Sequence, residues 1–313
     1  MNTLPWAFGV VACPWCGAAR IGADSAAPNG RCSSCDRAWG CQGSVLTWAG
    51  AAAEGSRRNL WTLALRQLSP TSSYLSPLRH FSDWRLERFY RRTLDDILLA
   101  KRWAAHYLAG LALSPGCAVL EFGCGRGRHV ALLNQLGFRV AAQDLQPHQW
   151  WSHLSSCGFQ VVPTSARRLP WLQSTFAAVL DVMVLHHLSM SQVQDLAREV
   201  FRVLSPGGYW IMVEANASSY GAAATRRHHG GRLHTLADIR AAARDAGFSD
   251  VDHSYEGFYA PIAPTLVNFI RKQAWPGPLT VDDFDSRLAA LVPPERRALW
   301  LLRVRKPGIE PPR

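Results

Sequence analysis

Glu121-Phe-Gly123-Cys-Gly125-Arg-Gly127 follows directly on the apolar run 118–120 and predicts a strand that turns at once into a helix. Three glycines at alternate positions tolerate positive φ and let a ligand approach the backbone closely, because they carry no Cβ. A dinucleotide-binding loop would place its third glycine at position 128, where this chain has Arg128. The stretch therefore predicts a nucleoside-binding loop and disfavours NAD.

An acidic residue closes the next apolar run of the chain. Asp144 follows the residues Val140-Ala-Ala-Gln, about twenty positions after the glycines. A carboxylate at that place can accept hydrogen bonds from both hydroxyls of a ribose. Loop and carboxylate together predict an adenosine-containing ligand.

These two features resemble the first two motifs of the class I S-adenosylmethionine-dependent methyltransferases. Three further segments are similar to that family and follow in the same order: Arg168-Leu-Pro170 with Phe176, the run ending in Leu185-His-His-Leu188, and Glu199-Val-Phe-Arg-Val-Leu-Ser-Pro-Gly-Gly208. The resemblance implies S-adenosylmethionine as cofactor and methyl transfer as reaction.

The resemblance also implies a set of cofactor-binding residues. These are Glu121, Gly123, Cys124, Gly125, Gly127, Asp144, Leu145, Ser165, Ala166 and Asp181. Two positions depart from the family pattern, since Ser165 stands where Asp is common and Ala177 where the family usually has the Asp of Phe-Asp. A hydroxyl or a backbone carbonyl would then contact the adenine.

No catalytic residue is assigned from the sequence. His186 or His187 can act as a base if the acceptor must lose a proton, with Asp181 or Glu214 orienting it. The competing interpretation is that such a histidine is structural, since it is common in the family without a catalytic role. His187→Ala should slow turnover only under the first interpretation.

Two Cys-x-x-Cys pairs stand near the N-terminus, with a spacing typical of zinc ribbons. Four thiolates around Zn²⁺ form a closed structural site without an open position for water. The predicted ligands are Cys13, Cys16, Cys32 and Cys35, with Cys41 as a substitute. The alternative is a disulfide pair or four free thiols. A similar leader occurs in ribosomal-RNA guanine methyltransferases and in bacterial small-molecule methyltransferases, so it does not choose between the two.

Composition limits the class of protein. The chain has 313 residues, 48% of them hydrophobic, a net charge of +11 and a pI of about 9.7. Nearly all the positive charge is arginine, as a GC-rich coding sequence would produce without nucleic-acid binding. The expected location is cytoplasmic and no membrane partner is expected, since the sequence shows neither an apolar run long enough to span a bilayer nor a secretory signal.

Strand-like and helix-like segments alternate from residue 118 onward. This alternation predicts an α/β, Rossmann-like, doubly wound and mostly parallel seven-stranded sheet with an antiparallel edge strand, plus a small N-terminal zinc ribbon. The expected units are the ribbon at 1–50, a helical linker and cofactor-cleft cap at 51–112, and the methyltransferase domain at 113–313. Insertions near 215–234 and 257–294 are expected to form lids, and aromatic residues in them favour an apolar substrate pocket.

The favoured function is methyl transfer to a small molecule, because residues 234–248 resemble a segment frequent in small-molecule methyltransferases. The first alternative is a methyltransferase of ribosomal or other RNA, which the ribbon and the basic charge support. The second is a non-catalytic protein that binds S-adenosylmethionine and docks another subunit.

Overall fold

A computed structural model of the chain describes residues 10–18, 29–42, 45–48, 106–125, 127–147, 151, 157–162, 168–223, 232–257 and 289–308. The helices within these ranges are α1 (Arg128–Gln135), α2 (Met190–Val203) and α3 (Leu236–Asp245), with short 3₁₀ turns at Leu185–His187 and Pro294–Arg296. The strands are β1 (Asn29–Arg31), β2 (Ala38–Gln42), β3 (Val45–Trp48), β4 (Ala118–Phe122), β5 (Arg139–Asp144), β6 (Gly158–Val161), β7 (Phe176–Val182), β8 (Leu204–Ala215), β9 (Ser249–Glu256) and β10 (Leu299–Arg305).

The strands form one sheet in the order β1-β2-β3-β6-β5-β4-β7-β8-β10-β9. Strands β6, β5, β4, β7 and β8 are parallel, and β10 runs antiparallel to both β8 and β9. The seven strands from β6 to β9 confirm the predicted Rossmann-like sheet with its antiparallel edge. The antiparallel strand itself is β10, which lies second from that edge.

The ribbon strands extend this sheet at its other end. Strand β3 pairs in parallel with β6, with Val45 opposite Phe159 and Thr47 opposite Val161. Strands β1 and β2 then follow as an antiparallel hairpin. This pairing makes the ribbon part of the main sheet, and the sequence does not predict it.

Apolar residues alternate between the two faces of the sheet, and each face carries its own hydrophobic cluster. In β4, Leu120 belongs to one cluster and Val119 to the other. Both faces of a central parallel sheet must be covered, which explains why these strands read as continuous apolar runs. The first cluster also includes Cys13 and Trp48 of the ribbon.

Helices α2 and α3 begin at capping boxes. Ser189 caps α2 together with Gln192, and Thr235 caps α3 together with Asp238. In each box the cap hydroxyl accepts a hydrogen bond from the backbone N–H three residues on, and that residue's side chain accepts one from the cap N–H.

Several predictions fall outside the described residues. They concern Ser165 and Ala166, most of the linker 51–112 and most of the two lid insertions. The unit boundaries and the lids therefore stay predictions. None of the described helices has both the length and the apolar character needed to cross a membrane.

Candidate cofactor-binding site

The glycine loop between β4 and α1 has a left-handed backbone. The φ angles are 66° at Gly123, 49° at Gly125 and 78° at Gly127, which favour glycine strongly. A Cβ at Gly123 would lie 2.6 Å from Cγ2 of Val184, whereas a Cβ at Gly125 would meet no atom of the described residues within 4 Å. Within that part of the chain the backbone at Gly125 is therefore uncovered, and the backbone at Gly123 is packed against the turn after β7.

Asp144, at the end of β5, lies beside this loop. Its Oδ2 accepts a hydrogen bond from the Gly125 N–H at 2.7 Å and its Oδ1 accepts one from the Leu145 N–H at 2.6 Å. Burial raises the pKa of Asp144, and the hydrogen bonds from Gly125 and Leu145 oppose that shift. A carboxylate offers about four acceptor positions, so this side chain keeps capacity for further donors.

The backbone of Gln143 in β5 is hydrogen-bonded to the glycine loop. Its main-chain carbonyl oxygen accepts hydrogen bonds from the Gly123 N–H at 2.9 Å and the Cys124 N–H at 3.1 Å. Trp151 donates through Nε1 to the Gly125 carbonyl at 2.9 Å. Neither residue is predicted from the sequence, because neither belongs to a recognisable motif.

Glu121 is the buried acidic residue of the loop motif. Its Oε1 lies 3.3 Å from Nδ1 of His129, and its Oε2 has no hydrogen-bond partner within the described part of the chain. A buried carboxylate oxygen without a partner is costly, since it has lost water and gained nothing in return. This oxygen belongs to the strand that leads into the glycine loop, and it has acceptor capacity for a donor on a ligand.

The turn after β7 is held by Glu214 of β8. The Glu214 carboxylate accepts hydrogen bonds from the backbone N–H groups of Val184 and Leu185, and its Oε2 lies 2.9 Å from Nδ1 of buried His186. Met183, which begins the turn, has a positive φ of 59°. Such a conformation is strained for a side chain larger than glycine, and Glu214 helps to hold it.

His187 is the exposed histidine of this turn, and its ring centroid lies 4.0 Å from that of His186. Burial and then His186 lower its pKa, while Glu214 and Asp144 act in the opposite direction. The structure therefore separates two histidines that the sequence left equivalent. His186 is bonded to Glu214 inside the protein, and His187 is neutral at pH 7 and accessible.

Asp181, also predicted to bind the cofactor, is fully buried in β7. Its Oδ2 accepts a hydrogen bond from Nε1 of Trp210 at 2.6 Å. Burial, followed by the charge of Glu214, raises the pKa of Asp181 well above its ordinary value. The cofactor-binding role of Asp181 stays a prediction, and Trp210 is the contact that the structure gives it.

The four predicted metal ligands come together in the ribbon. The sulfur atoms of Cys13, Cys16, Cys32 and Cys35 all lie within 4.8 Å of one another. The Sγ atoms are 3.5 Å apart for Cys13 and Cys35, and 3.6 Å apart for Cys16 and Cys32. Tetrahedral zinc with bonds of about 2.3 Å requires sulfur atoms roughly 3.8 Å apart, so the cluster fits zinc. A disulfide would need about 2 Å, and all four cysteines are free.

Two equivalent turns present these thiols. Gly17 N donates to Cys13 O and Asp36 N donates to Cys32 O, each at 2.9 Å, and both donors have positive φ. Burial raises the pKa of the Cys13 thiol to about 12. A metal ion that binds this sulfur must therefore displace a proton.

The part of the chain that carries the loop is similar to known methyltransferases. Residues 120–212 match the family model described as "Methyltransferase domain". Over 113 residues the chain is 32% identical to an uncharacterized methyltransferase of Synechocystis sp., a match covering 36% of this chain and 53% of that protein. Over 102 residues it is 32% identical to a tRNA (carboxymethyluridine(34)-5-O)-methyltransferase of Arabidopsis thaliana, covering 32% of this chain and 24% of that protein.

Among solved structures, a geranyl diphosphate methyltransferase in complex with S-adenosylmethionine is 17% identical. It aligns with a TM-score of 0.49 over 70% of this chain and 90% of that chain. The match to the curated relatives named above spans about half of the first and a quarter of the second.

Proposed function

We propose that this chain, which carries a class I S-adenosylmethionine-dependent methyltransferase domain, transfers the methyl group of that cofactor to a small-molecule acceptor. The observation that carries the proposal is the arrangement at the ends of β4 and β5. There the Gly125 N–H is bonded to the carboxylate of Asp144, no described residue fills the space beside Gly125, and Glu121 of β4 has a carboxylate oxygen without a hydrogen-bond partner among the described residues.

Each of these groups has a part of the cofactor to bind. Asp144 would accept hydrogen bonds from the ribose hydroxyls with its remaining acceptor positions. Glu121 would accept a hydrogen bond from the ammonium group of the methionine moiety with Oε2, which has no partner among the described residues, and that positive charge would compensate a buried negative one. Gly125 lets the ligand lie against the backbone without steric conflict.

When bound, S-adenosylmethionine would supply a methyl group on a positively charged sulfur; the acceptor's lone pair would form the new bond to carbon, and the carbon–sulfur electron pair would stay on sulfur. The protein's part is to hold the acceptor in line and keep water out. His187 is the candidate base for an acceptor that must lose a proton, because it is exposed and neutral at pH 7. His186 and Glu214 position the turn that presents it.

The charges of the described arginines support a small acceptor. Many of them already pair with carboxylates of the same chain, so they offer less charge to a phosphate backbone than the number of arginines suggests. The pairs are Arg31 with Asp36, Arg198 with Asp195, Arg202 with Glu199, Arg240 and Arg244 with Asp250, and Arg303 with Asp252.

Calorimetry with S-adenosylhomocysteine, the demethylated product, tests the cofactor site. Asp144→Asn should weaken binding about tenfold to a hundredfold, since it replaces a charged acceptor by an amide. Asp195→Asn changes the same group on the exposed side of α2 and should leave binding unchanged. Absence of heat with the wild-type protein, or equal affinity in both variants, would refute the cofactor site.

The acceptor class is tested with radiolabelled S-adenosylmethionine and fractionated cell extract. Label in small metabolites supports the proposal. Cofactor binding without label in any fraction would instead indicate a non-catalytic binding protein.

RNA is the second candidate acceptor, because the names of two relatives, from Arabidopsis thaliana and Bos taurus, describe tRNA methyltransferases. Label in the RNA fraction would favour it. Binding to RNA should then weaken steeply as the salt concentration rises.

A further inference from the structure

The ribbon is bonded directly to the segment that follows the predicted adenine contacts. The Ala12 N–H donates to Pro170 O at 3.0 Å, the Leu172 N–H donates to Val10 O at 2.8 Å, and the Arg168 N–H donates to Pro14 O at 3.0 Å. Residues 10–14 run into the first metal-binding turn, which carries the ligands Cys13 and Cys16. Residues 168–172 thus form a two-stranded contact with the backbone that carries the metal ligands.

A second connection joins the ribbon to β6, the strand that precedes residues 163–167 in the sequence. Trp48 of β3 donates through Nε1 to Oε1 of Gln160 in β6 at 2.9 Å, and Gln160 donates through Nε2 to Pro170 O at 3.2 Å. The ribbon therefore fixes both flanks of residues 163–167, which include Ser165 and Ala166.

From this contact a short chain of hydrogen bonds leads into the cofactor site. Trp171, fully buried, donates through Nε1 to Oε1 of Gln143 at 2.7 Å. The backbone carbonyl of the same residue accepts the hydrogen bonds from the Gly123 and Cys124 N–H groups, and Asp144 is the next residue. Only two side chains separate the metal-binding turn from the glycine loop.

We propose that the four-cysteine site and the cofactor site are energetically coupled through Trp171 and Gln143, so that zinc and the cofactor each strengthen binding of the other. This inference rests on the proposed function, since it needs the cofactor to bind beside Asp144. Trp171 is a positioning residue, because it acts on the loop through Gln143.

Coupling between two binding sites is reciprocal, so zinc affinity reports it as well as cofactor affinity does. Zinc affinity is measured on the full chain by competition with a coloured chelator, with and without S-adenosylhomocysteine. We expect S-adenosylhomocysteine to tighten zinc binding roughly tenfold, within the range usual for such coupling.

Trp171→Phe keeps a buried aromatic ring and removes the N–H that reaches Gln143. In the zinc-loaded variant we expect S-adenosylhomocysteine to bind several-fold more weakly than in the wild type. We also expect S-adenosylhomocysteine to increase the zinc affinity of the variant by a smaller factor. Gln143→Met removes the acceptor at the other end and should give the same result if Trp171→Phe folds poorly.

Trp300→Phe is the matched control. Trp300 is equally buried and belongs to the same hydrophobic cluster, but its Nε1 has no hydrogen-bond partner among the described residues. Both affinities should stay at the wild-type value in this variant.

The control also separates specific coupling from a general effect in which zinc loss unfolds the chain, because an unfolding effect would be the same in both tryptophan variants. Equal behaviour of Trp171→Phe and Trp300→Phe, or zinc affinity that S-adenosylhomocysteine does not change, overturns the coupling. A wild-type protein that binds no S-adenosylhomocysteine overturns the proposed function and this inference with it.

Discussion

At the scale of single residues, the glycine loop shows what a sequence motif can predict and what it cannot. The spacing of the glycines predicts a turn with positive φ angles, and Gly123 and Gly125 both have positive φ. Their different surroundings were not predictable, because Val184 reaches Gly123 from the turn after β7, far along the sequence. Glu214 was expected to orient His186 or His187, but its hydrogen bonds with the backbone of the turn were not predictable, because they depend on the pairing of β7 with β8.

Alanine substitutions in this loop should separate stability from binding. Gly123→Ala adds a Cβ against Val184 to a residue with positive φ, and should cost roughly 2–4 kcal/mol in the free energy of unfolding. Gly125→Ala meets no atom of the described residues, so it should cost only about 1–2 kcal/mol and mainly weaken S-adenosylhomocysteine binding. Urea denaturation and calorimetry measure the two effects. Equal losses of stability would show that packing against Val184 does not matter.

A pH profile tests the role of His187. Its pKa in the folded protein lies below the ordinary value of about 6.5, so the neutral base persists down to that pH and turnover should fall only below it. His187→Asn should lower kcat at saturating cofactor and remove this acidic limb. His253→Asn, a substitution on the outermost strand β9, should leave the profile unchanged. An unaltered kcat in His187→Asn would assign the histidine a structural role.

At the scale of elements, the local sequence is sufficient to predict a helix or strand wherever neighbouring residues determine where it begins and ends. The bounds of α2 and α3 follow from capping residues and apolar spacing, and the strands β4 and β10 follow from apolar runs between turns. The ribbon pairing is different, since Trp48 and Gln160 are 112 positions apart. Parallel strand pairing between distant segments leaves no mark in the local pattern of either one.

The capping box of α3 gives a prediction at this scale. Thr235→Ala removes the hydroxyl that accepts the Asp238 N–H at 3.1 Å, and should reduce the free energy of unfolding by about 1 kcal/mol. Thr235→Ser keeps that acceptor and should stay close to wild type. The comparison is made by urea denaturation of the zinc-loaded chain. If both variants lose the same stability, the threonine methyl group rather than the cap is responsible.

At the scale of the whole molecule, the ribbon completes an edge of the main sheet. Every residue of β6 is buried, and β3 supplies its partner on the outer side. Without β3, the backbone N–H and C=O groups on that side of β6 would lack partners, and Gln160 would lose its bond to Trp48. An unpaired, apolar strand edge is a template for association with another chain.

Deleting residues 1–48 should therefore cause self-association, whatever the effect on catalysis. In size-exclusion chromatography we expect the shortened chain to elute as aggregates at concentrations where the zinc-loaded full chain does not. Cys41→Ser is the matched control, since it alters a ribbon cysteine outside the cluster of four and should leave the elution of the full chain unchanged. A shortened chain that elutes like a single folded protein and melts at the full-length temperature would show that β6 does not need β3. The ribbon's contribution would then be confined to the hydrogen bonds that reach residues 168–172.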